Sequence, residues 1–402
     1  MSQKILIVGA GFAGVWSALG AARVLDNHGK TADVEITLIS PKPEIVIRPR
    51  LHEHAPHEMS VPLLPLLEAA GVKFIEAEVE RIDTSNARFV HALTSDGRHI
   101  NVPYDRLVLT SGSQLNRPPV PGLLENTFAV DQLSDAVKLD RHLAELANLP
   151  ESAARNTIVV VGGGFTGLEV ATELPERLRT IHGADARFNI VVVERAEAIG
   201  PDLGPNPRPM ITEALDSMGI EFQVGSGVVA IDENGVMTAA GKRINAKTVI
   251  WTGGMIASSL TSQVSSRLDR QGRVEVTGDL RVVGTDHVFA AGDVATALTD
   301  DEGHYALMSC QHAIFMGRYA GHNVAADLVG APTLEYRQPF YATCLDLGEW
   351  GAVYTEGWDR QVLLTHDEGK ARKRMINTQW IYPPAANRAD ALAAGNPEQS
   401  YS

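Results

Sequence analysis

Apolar runs and glycine-rich turns alternate in two separate stretches of the chain. Near the N-terminus, the run KILIV leads into the turn GAGFAG, a helix-like stretch and a second run that ends at Ser40. Further along, TIVVV leads into GGGFTG, another helix-like stretch and a run that ends at Glu194. Short apolar runs bounded by turns are typical of buried strands, and strands that alternate with helices indicate a parallel sheet. Each stretch therefore predicts a strand–turn–helix–strand unit.

The similarity of the two stretches continues downstream. A strand with the pattern Gly-Val/Ile-x-Phe follows in both, within residues 69–83 and 217–232. A β-meander then follows in both, at residues 97–113 and 241–254. Four matched features in the same order indicate an internal duplication. The sequence therefore predicts an α/β protein with two Rossmann-like dinucleotide-binding domains.

Length, charge and hydropathy narrow the class of protein. A chain of 402 residues with 44% apolar and 21% charged residues is typical of a globular protein with more than one packed unit. Its formal net charge of −14 argues against a nucleic-acid partner. We expect no transmembrane segment, because no apolar stretch approaches the roughly 18–20 residues that a spanning helix needs. A cytoplasmic location is the prediction.

The cysteine content gives no disulfide framework, which favours a reducing compartment. Cys310 and Cys344 are interpreted as buried structural thiols, and a redox role for them stays open. His52, His54 and His57 are not spaced like a known metal site, so we expect no metal and place them at the mouth of a site or at an interface.

Each glycine turn has a chemical reason. The first glycine permits a tight turn, the second lets the backbone approach a pyrophosphate, and the third lets the helix pack on the strand. The N-terminus of that helix offers free N–H groups and a positive partial charge to phosphates. The predicted phosphate-binding residues are Gly9, Gly11, Phe12, Ala13 and Gly14 in the first turn, and Gly162, Gly164, Phe165, Thr166 and Gly167 in the second.

This layout, with VFAAGDVATA at 288–297, LTSGS at 109–113 and IWTGG at 250–254, resembles the pyridine nucleotide–disulfide oxidoreductase superfamily. The resemblance implies that the first turn binds FAD and the second binds NAD(P)H. It also implies three regions: an FAD domain of residues 1–115 and 255–330, an inserted NAD(P)H domain of residues 116–254, and a small C-terminal β/α region of residues 331–402 with a polar tail. Further residues assigned by the resemblance are Arg48, Val79, Thr110, Gly112 and Asp293 for FAD, and Gly253 for NAD.

The ends of the two second strands bear on the choice of nucleotide. Glu194 is predicted to bind the ribose 2′-hydroxyl of NADH and to repel the 2′-phosphate of NADPH, by about 4 kcal/mol per unit charge at ~4 Å. The adjacent Arg195 would offset that repulsion, so NADPH stays open. Ser40 holds the equivalent position in the FAD domain, where an acid is usual, and is predicted to hydrogen-bond the ribose more weakly.

The segment GGGFTGLEVA, which contains Glu169, resembles the GGGxTGVExA of the type II NADH dehydrogenases, which are single-subunit NADH:quinone oxidoreductases. The resemblance implies that Glu169 lies toward the flavin–nicotinamide contact and handles the proton after hydride transfer. A glutamate that only complements the helix dipole is the alternative. The segment CQHAIFMG resembles the family's quinone-side pattern AQxAxQxG, which makes Gln311 the second catalytic candidate and replaces the second glutamine by Phe315.

The C-terminal region departs from that family, whose members usually end in amphipathic helices. A β-like segment occupies residues 340–358, and a basic cluster follows it, with Lys370, Arg372, Lys373 and Arg374. We interpret the cluster as a solvated helix face. Trp380 and Tyr382 beside it leave a weak peripheral contact with the inner face of a membrane open.

These features together predict an FAD-dependent NADH dehydrogenase that passes electrons to a quinone or another small-molecule acceptor. Two alternatives stay open: a flavoprotein reductase for a redox protein or a specialised organic substrate, and an NADH-responsive flavoprotein with little turnover that resembles apoptosis-inducing factor. A homodimer is also left open.

Overall fold

The computed structural model describes residues 2–85 and 87–399. The strands of its first part are β1 (Gln3–Val8), β2 (Val34–Ser40), β3 (Glu44–Val46), β4 (Ser60–Pro62), β5 (Lys73–Asp83), β6 (Phe89–Thr94), β7 (His99–Pro103), β8 (Arg106–Leu109) and β9 (Ser113–Leu115). Those of the middle part are β10 (Thr157–Val161), β11 (Asn189–Val193), β12 (Glu221–Gln223), β13 (Val228–Asp232), β14 (Gly235–Thr238), β15 (Arg243–Asn245), β16 (Thr248–Trp251) and β17 (Met255–Ala257). The last part contains β18 (Val274–Glu275), β19 (Val288–Ala290), β20 (Ala295–Thr296), β21 (Ala342–Asp346), β22 (Ala352–Glu356) and β23 (Gln361–Leu364).

The α-helices are α1 (Phe12–Asn27), α2 (Leu64–Ala70), α3 (Leu133–Glu145), α4 (Phe165–His182), α5 (Arg208–Ser217), α6 (Thr261–Val264), α7 (Cys310–Val329), α8 (His366–Met375) and α9 (Arg388–Ala394). Both predicted strand–turn–helix units form, as β1 with α1 and as β10 with α4. Each apolar run is a strand that is buried along most of its length, as expected of a parallel sheet covered on both faces.

The described residues form one large sheet from both ends of the chain and a smaller one between them. The large sheet has the order β19-β8-β1-β2-β5-β6-β7, and the smaller has the order β12-β11-β10-β16 with every pair parallel. The two-domain α/β prediction is therefore confirmed. The boundaries after residues 115, 254 and 330 stay a prediction, which the antiparallel pairing of β9 with β17 beside the first two supports.

Helices α1 and α7 pack closely against each other because glycines lie at their contact. A Cβ atom at Gly317 would stand 2.5 Å from the Ala13 carbonyl oxygen, and one at Gly321 would stand 2.1 Å from that of Ser17. This close packing brings the N-terminus of α7 next to the glycine turn that begins α1.

The C-terminal region packs on both domains. The antiparallel sheet β21-β22-β23 adds Leu345, Leu347 and Val353 to the apolar core around α4. Helix α9 packs on α1, and Arg318 of α7 donates a hydrogen bond to the Ala394 carbonyl oxygen at 2.9 Å. The predicted polar tail is thus attached to the large domain as far as residue 399, and residues 400–402 lie outside the described part. No helix in that part has the length and apolarity to cross a bilayer.

Candidate active site

The first glycine turn, between β1 and α1, is held by Thr110 at the end of β8. Thr110 Oγ1 donates to the Val8 carbonyl oxygen at 2.8 Å. Gly9 has a φ of +109°, and a Cβ there would meet the Thr110 carbonyl oxygen at 2.5 Å. A Cβ at Gly14 would stand 1.8 Å from the Gly9 carbonyl oxygen, whereas one at Gly11 would meet no atom within 4 Å among the described residues. The turn is closed by its first and third glycines and open at its second.

The second turn repeats this geometry with Thr252 in the place of Thr110. Thr252 Oγ1 donates to the Val161 carbonyl oxygen at 3.0 Å, and Gly162 has a φ of +114°. A Cβ at Gly167 would stand 1.8 Å from the Gly162 carbonyl oxygen, while the nearest atom to one at Gly164 is Asp202 Oδ2 at 3.5 Å. Thr252 was missed in the sequence, although its place in IWTGG matches that of Thr110 in LTSGS.

Both turns fit a dinucleotide. The open second glycine leaves space for a pyrophosphate, and the helices that follow begin at Phe12 and Phe165 without a side-chain cap on their amides. Ala13 lies in the first turn of α1, and Thr166 is exposed in the first turn of α4.

The two strand-end residues differ in their surroundings. Glu194 is buried and accepts hydrogen bonds from the Gly163 amide at 2.7 Å and the Ala196 amide at 2.8 Å, so it braces the second glycine turn. A carboxylate has further acceptor positions for a ribose hydroxyl. Arg195 is exposed beside it, and Ser40 is partly exposed at the end of β2.

Asp293 lies at the centre of a polar cluster on the FAD side. Ser113 Oγ donates to Asp293 Oδ2 at 2.5 Å, and Arg48 Nη1 lies 3.8 Å from the same oxygen. Arg48 also pairs with Asp131 at 2.5 Å, so its charge is balanced within the protein, and its contact with FAD stays a prediction. Ser113 and Asp131 were missed in the sequence: Ser113 is the last residue of LTSGS, and Asp131 belongs to no recognisable motif.

Three further predicted residues lie at positions where the backbone conformation, close packing or strand register is unusual. Gly112 has a φ of +68° after β8, and a Cβ at Gly253 would clash with the indole ring of Trp251 at 2.5 Å. Val79 marks the start of a register shift between β5 and β6. These positions stay predictions as cofactor contacts.

Glu169 is buried in the first turns of α4, where it meets the C-terminal region. Its Oε1 atom accepts a 2.6 Å hydrogen bond from Lys373 Nζ and a 3.1 Å bond from the Asp346 amide. Lys373 Nζ also donates to the Cys344 carbonyl oxygen at 3.0 Å and lies 5.6 Å from the centre of the Phe165 ring. Burial opposes the charge on Lys373, but the neighbouring acidic groups, with Glu169 first among them, together outweigh it, and the pKa of Lys373 is raised.

The interpretation of the basic cluster as a solvated face is therefore wrong for Lys373, which is 5% exposed. Lys370 pairs with Asp346 at 2.5 Å, and Arg372 stacks on Tyr354. Of the four basic residues in the cluster, Arg374 is the exposed one. Helix α8 turns one basic residue inward because Gly369, one turn earlier, packs directly on β22.

The three histidines of the N-terminal region differ in their burial. His54 and His57 are exposed, but His52 is buried with its Nδ1 atom 3.7 Å from Glu169 Oε2. Of the two expected positions, His52 does not take the mouth of a site but lies at an interface inside the molecule, where the chain after Arg48 packs against α4. Within residues 2–85 and 87–399, no His, Cys, Asp and Glu side chains gather in a metal-binding group.

Gln311 lies in the first turn of α7, where its Oε1 atom is 3.5 Å from the Ala342 amide. Strand β21 therefore contacts Gln311 at its first residue and Glu169 at its last. The two contacts are four residue steps apart along the strand, or about 13 Å. Phe315 follows one turn later, and the Arg318 guanidinium covers its ring at 5.2 Å.

The cysteines have the surroundings of unreactive thiols. Burial raises the pKa of Cys310 to about 11 and that of Cys344 to about 12. Cys344 Sγ donates to the Gly369 carbonyl oxygen at 3.6 Å. Thiolate formation is disfavoured at both, which supports a structural role.

Glu173 lies one turn after Glu169, and we expect it to make the free energy of unfolding depend on pH. Burial first, and then the charge of Asp346, raises its pKa from 4.5 to about 7, against the opposing effect of Lys370. The folded state holds this proton more tightly than the unfolded state, so the stabilisation is present below pH 4.5 and is lost as the pH rises through about 7. Urea unfolding of wild type should show a loss of at most about 3 kcal/mol over this range relative to Glu173→Gln. Glu176→Gln, at an exposed position, is the control, and equal pH profiles for wild type and Glu173→Gln would contradict the assignment.

Comparison with known proteins identifies the family to which the chain belongs. The chain matches the pyridine nucleotide-disulphide oxidoreductases over residues 3–317 and belongs to this family. A protein of Mycobacterium tuberculosis named NADH dehydrogenase-like is 46% identical over 398 residues, which cover 98% of this chain and 98% of that protein. A type II NADH:quinone oxidoreductase of Staphylococcus saprophyticus is 28% identical and covers 94% of this chain and 95% of its own. The solved structure of NDH2 from Plasmodium falciparum in complex with NADH has the same fold, with a TM-score of 0.79, 15% identity and 98% coverage of both chains.

The predicted family is thus confirmed. The protein is an oxidoreductase, an NADH dehydrogenase flavoprotein whose cofactors are FAD and NADH. The individual site residues, the membrane contact, the cytoplasmic location and the homodimer stay predictions.

Proposed function

We propose that this protein oxidises NADH and reduces a quinone. The observation that carries the proposal is the buried Glu169, which lies three residues from the exposed start of α4 and is held by Lys373 from the C-terminal region. A buried, charge-paired carboxylate on the helix that begins at the nicotinamide turn is suited to proton exchange with a reacting group. The names of the relatives, an NADH dehydrogenase-like protein and a type II NADH:quinone oxidoreductase, support quinone as the acceptor.

Bound FAD would supply the two-electron chemistry that links oxidation of NADH to reduction of the acceptor. In this proposal, the residues of the two glycine turns hold the two pyrophosphates, Asp293 holds the ribityl chain, and Glu194 selects the unphosphorylated ribose. Glu169 holds the proton that the acceptor needs, and Gln311 orients the acceptor from the N-terminus of α7. The overall reaction turns NADH, one proton and a quinone into NAD+ and a quinol.

The test compares the two half-reactions. FAD-loaded protein should lose flavin absorbance rapidly with NADH, more slowly with NADPH, and recover it on mixing with a water-soluble quinone. A flavin that stays reduced in the presence of quinone would contradict quinone reduction and favour the low-turnover alternative. Efficient recovery only with a redox protein would favour the reductase alternative.

Glu169→Gln should retain FAD and its reduction by NADH but reoxidise with quinone about 10²-fold more slowly, because the amide cannot exchange the proton. Stopped-flow absorbance measures both steps. Glu176→Gln on the exposed side of the same helix is the matched control, and wild-type reoxidation in Glu169→Gln would leave Glu169 with a structural role only.

A further inference from the structure

The two carboxylate oxygens of Glu169 have different surroundings. Oε1 accepts the hydrogen bonds from Lys373 and from the Asp346 amide. Oε2 accepts no hydrogen bond from any described residue, and the group that faces it is His52, with Nδ1 at 3.7 Å. The first oxygen is fixed, and the second is available for a proton.

His52 is buried with only 5% of its surface exposed, and the two nitrogens of its ring have different surroundings. On the far side of the ring, Nε2 has no hydrogen-bond partner among the described residues. Asn377 Oδ1 is also buried without such a partner, and Asn377 Nδ2 donates to Glu53, the neighbour of His52, at 3.0 Å. Buried polar atoms of this kind are usually satisfied by internal water.

Helix α4 fixes the position of His52 as well as that of Glu169. Two turns after Glu169, Arg177 Nη1 donates to the His52 carbonyl oxygen at 3.3 Å, and Arg177 Nη2 donates to Asp140 at 2.6 Å. The contact is made to the main chain of His52, so it engages neither ring nitrogen of the imidazole. Helix α4 therefore carries Glu169 and also holds the main chain of His52 beside it.

We propose that His52 delivers the proton to Glu169 during reduction of the acceptor. In each turnover, an internal water takes a proton from solvent and breaks one of its own O–H bonds to protonate Nε2, while the Nδ1–H bond breaks and an O–H bond forms on Glu169 Oε2. The imidazole ends neutral, and a turn of the ring presents its remaining N–H to Glu169 again. The proton that Glu169 gives to the quinone is thus replaced from solvent, and no electrons pass through His52. The proposal rests on the proposed quinone reduction.

The other neighbour of Glu169 is a poor source of that proton. Lys373 lies between Glu169, the Cys344 carbonyl oxygen and Phe165, and it has no described contact that leads to solvent. Its raised pKa also opposes release. The 3.7 Å separation from His52 is longer than a hydrogen bond, but acid–base contacts often shorten when a site is occupied.

The experiment compares His52→Gln with His54→Gln, a matched change at an exposed histidine two residues away. Both variants should bind FAD and be reduced by NADH at the wild-type rate, because hydride transfer needs no proton from solvent. Reoxidation by a water-soluble quinone should be at least roughly tenfold slower in His52→Gln and unchanged in His54→Gln. His52→Ala leaves a cavity, and added imidazole should restore its reoxidation rate.

NMR of the histidine ring nitrogens gives a second readout that needs no turnover. The His52 signals, identified by their loss in His52→Gln, should shift on Glu169→Gln, and the His54 signals should not.

Equal reoxidation rates in the two glutamine variants, or a slow His52→Ala that imidazole does not accelerate, would overturn the relay. If wild type itself does not reduce quinone, the proposed function fails instead, and the NMR comparison still tests the contact. If His52→Ala loses FAD, the rate at which quinone reoxidises His52→Gln decides whether the relay exists.

Discussion

Replacement of Lys373 by methionine should lower the free energy of unfolding by roughly 3–5 kcal/mol, because it leaves the Glu169 carboxylate buried without its counter-ion. The side chains of Lys373 and Glu169 are 7% and 5% exposed, and their atoms are 2.6 Å apart. A buried charge cannot recover its solvation when its partner is removed. Urea unfolding of the FAD-loaded protein, with the variant at equal FAD occupancy, measures the loss.

Lys370→Met is the matched control, because Lys370 lies one turn earlier on α8 and pairs with Asp346 at 2.5 Å while 34% exposed. Its loss should cost less, about 1 kcal/mol, because the lysine is one-third exposed although Asp346 is buried. The double variant Glu169→Gln/Lys373→Met should lose less than the sum of the two single changes, since it removes both charges together. Equal losses in the two lysine variants would show that the buried pair contributes no more than a surface contact.

The two dinucleotide-binding units could be predicted because their signals are local. The turn from Gly9 to Gly14 and that from Gly162 to Gly167 each lie between an apolar strand and a helix, and the first and third glycines of each turn are required by close contacts with nearby backbone. Even the threonine that closes each turn occupies a matched place in the two copies, so the repeat could have identified Thr252 from Thr110.

The environment of Glu169 could not be predicted, because its partners are distant in the sequence. Lys373 lies 204 residues away in a basic run, where nothing local separates it from Lys370 and Arg374. Gly369 is the one available signal: it lies four residues before Lys373 on the same helix face and packs against the Ala352 carbonyl oxygen. His52 was equally hidden, because its burial depends on where α4 docks on the FAD domain.

Gly14→Ala should produce protein without bound FAD, whereas Gly11→Ala should fold normally and bind FAD more weakly. The Cβ at position 14 would stand 1.8 Å from the Gly9 carbonyl oxygen, so either α1 or the turn must move. Gly11 has φ −76° and ψ −171°, which alanine adopts without strain. A Cβ placed there would have no described atom within 4 Å. The flavin absorbance of purified protein and the thermal unfolding of apoprotein separate loss of fold from loss of cofactor.

The same pair of changes in the second turn should leave FAD bound and affect only the nucleotide. Gly167→Ala, with a Cβ 1.8 Å from the Gly162 carbonyl oxygen, should abolish flavin reduction by NADH. Gly164→Ala, whose nearest contact is Asp202 Oδ2 at 3.5 Å, should raise the Kd for NADH by at least about tenfold, or 1.4 kcal/mol, if the pyrophosphate occupies that open side. Dithionite, a reductant that bypasses the nucleotide, should still bleach the flavin in both variants. Normal NADH reduction in Gly164→Ala would place the pyrophosphate elsewhere, and loss of FAD from Gly167→Ala would mean that the two domains do not fold independently around their cofactors.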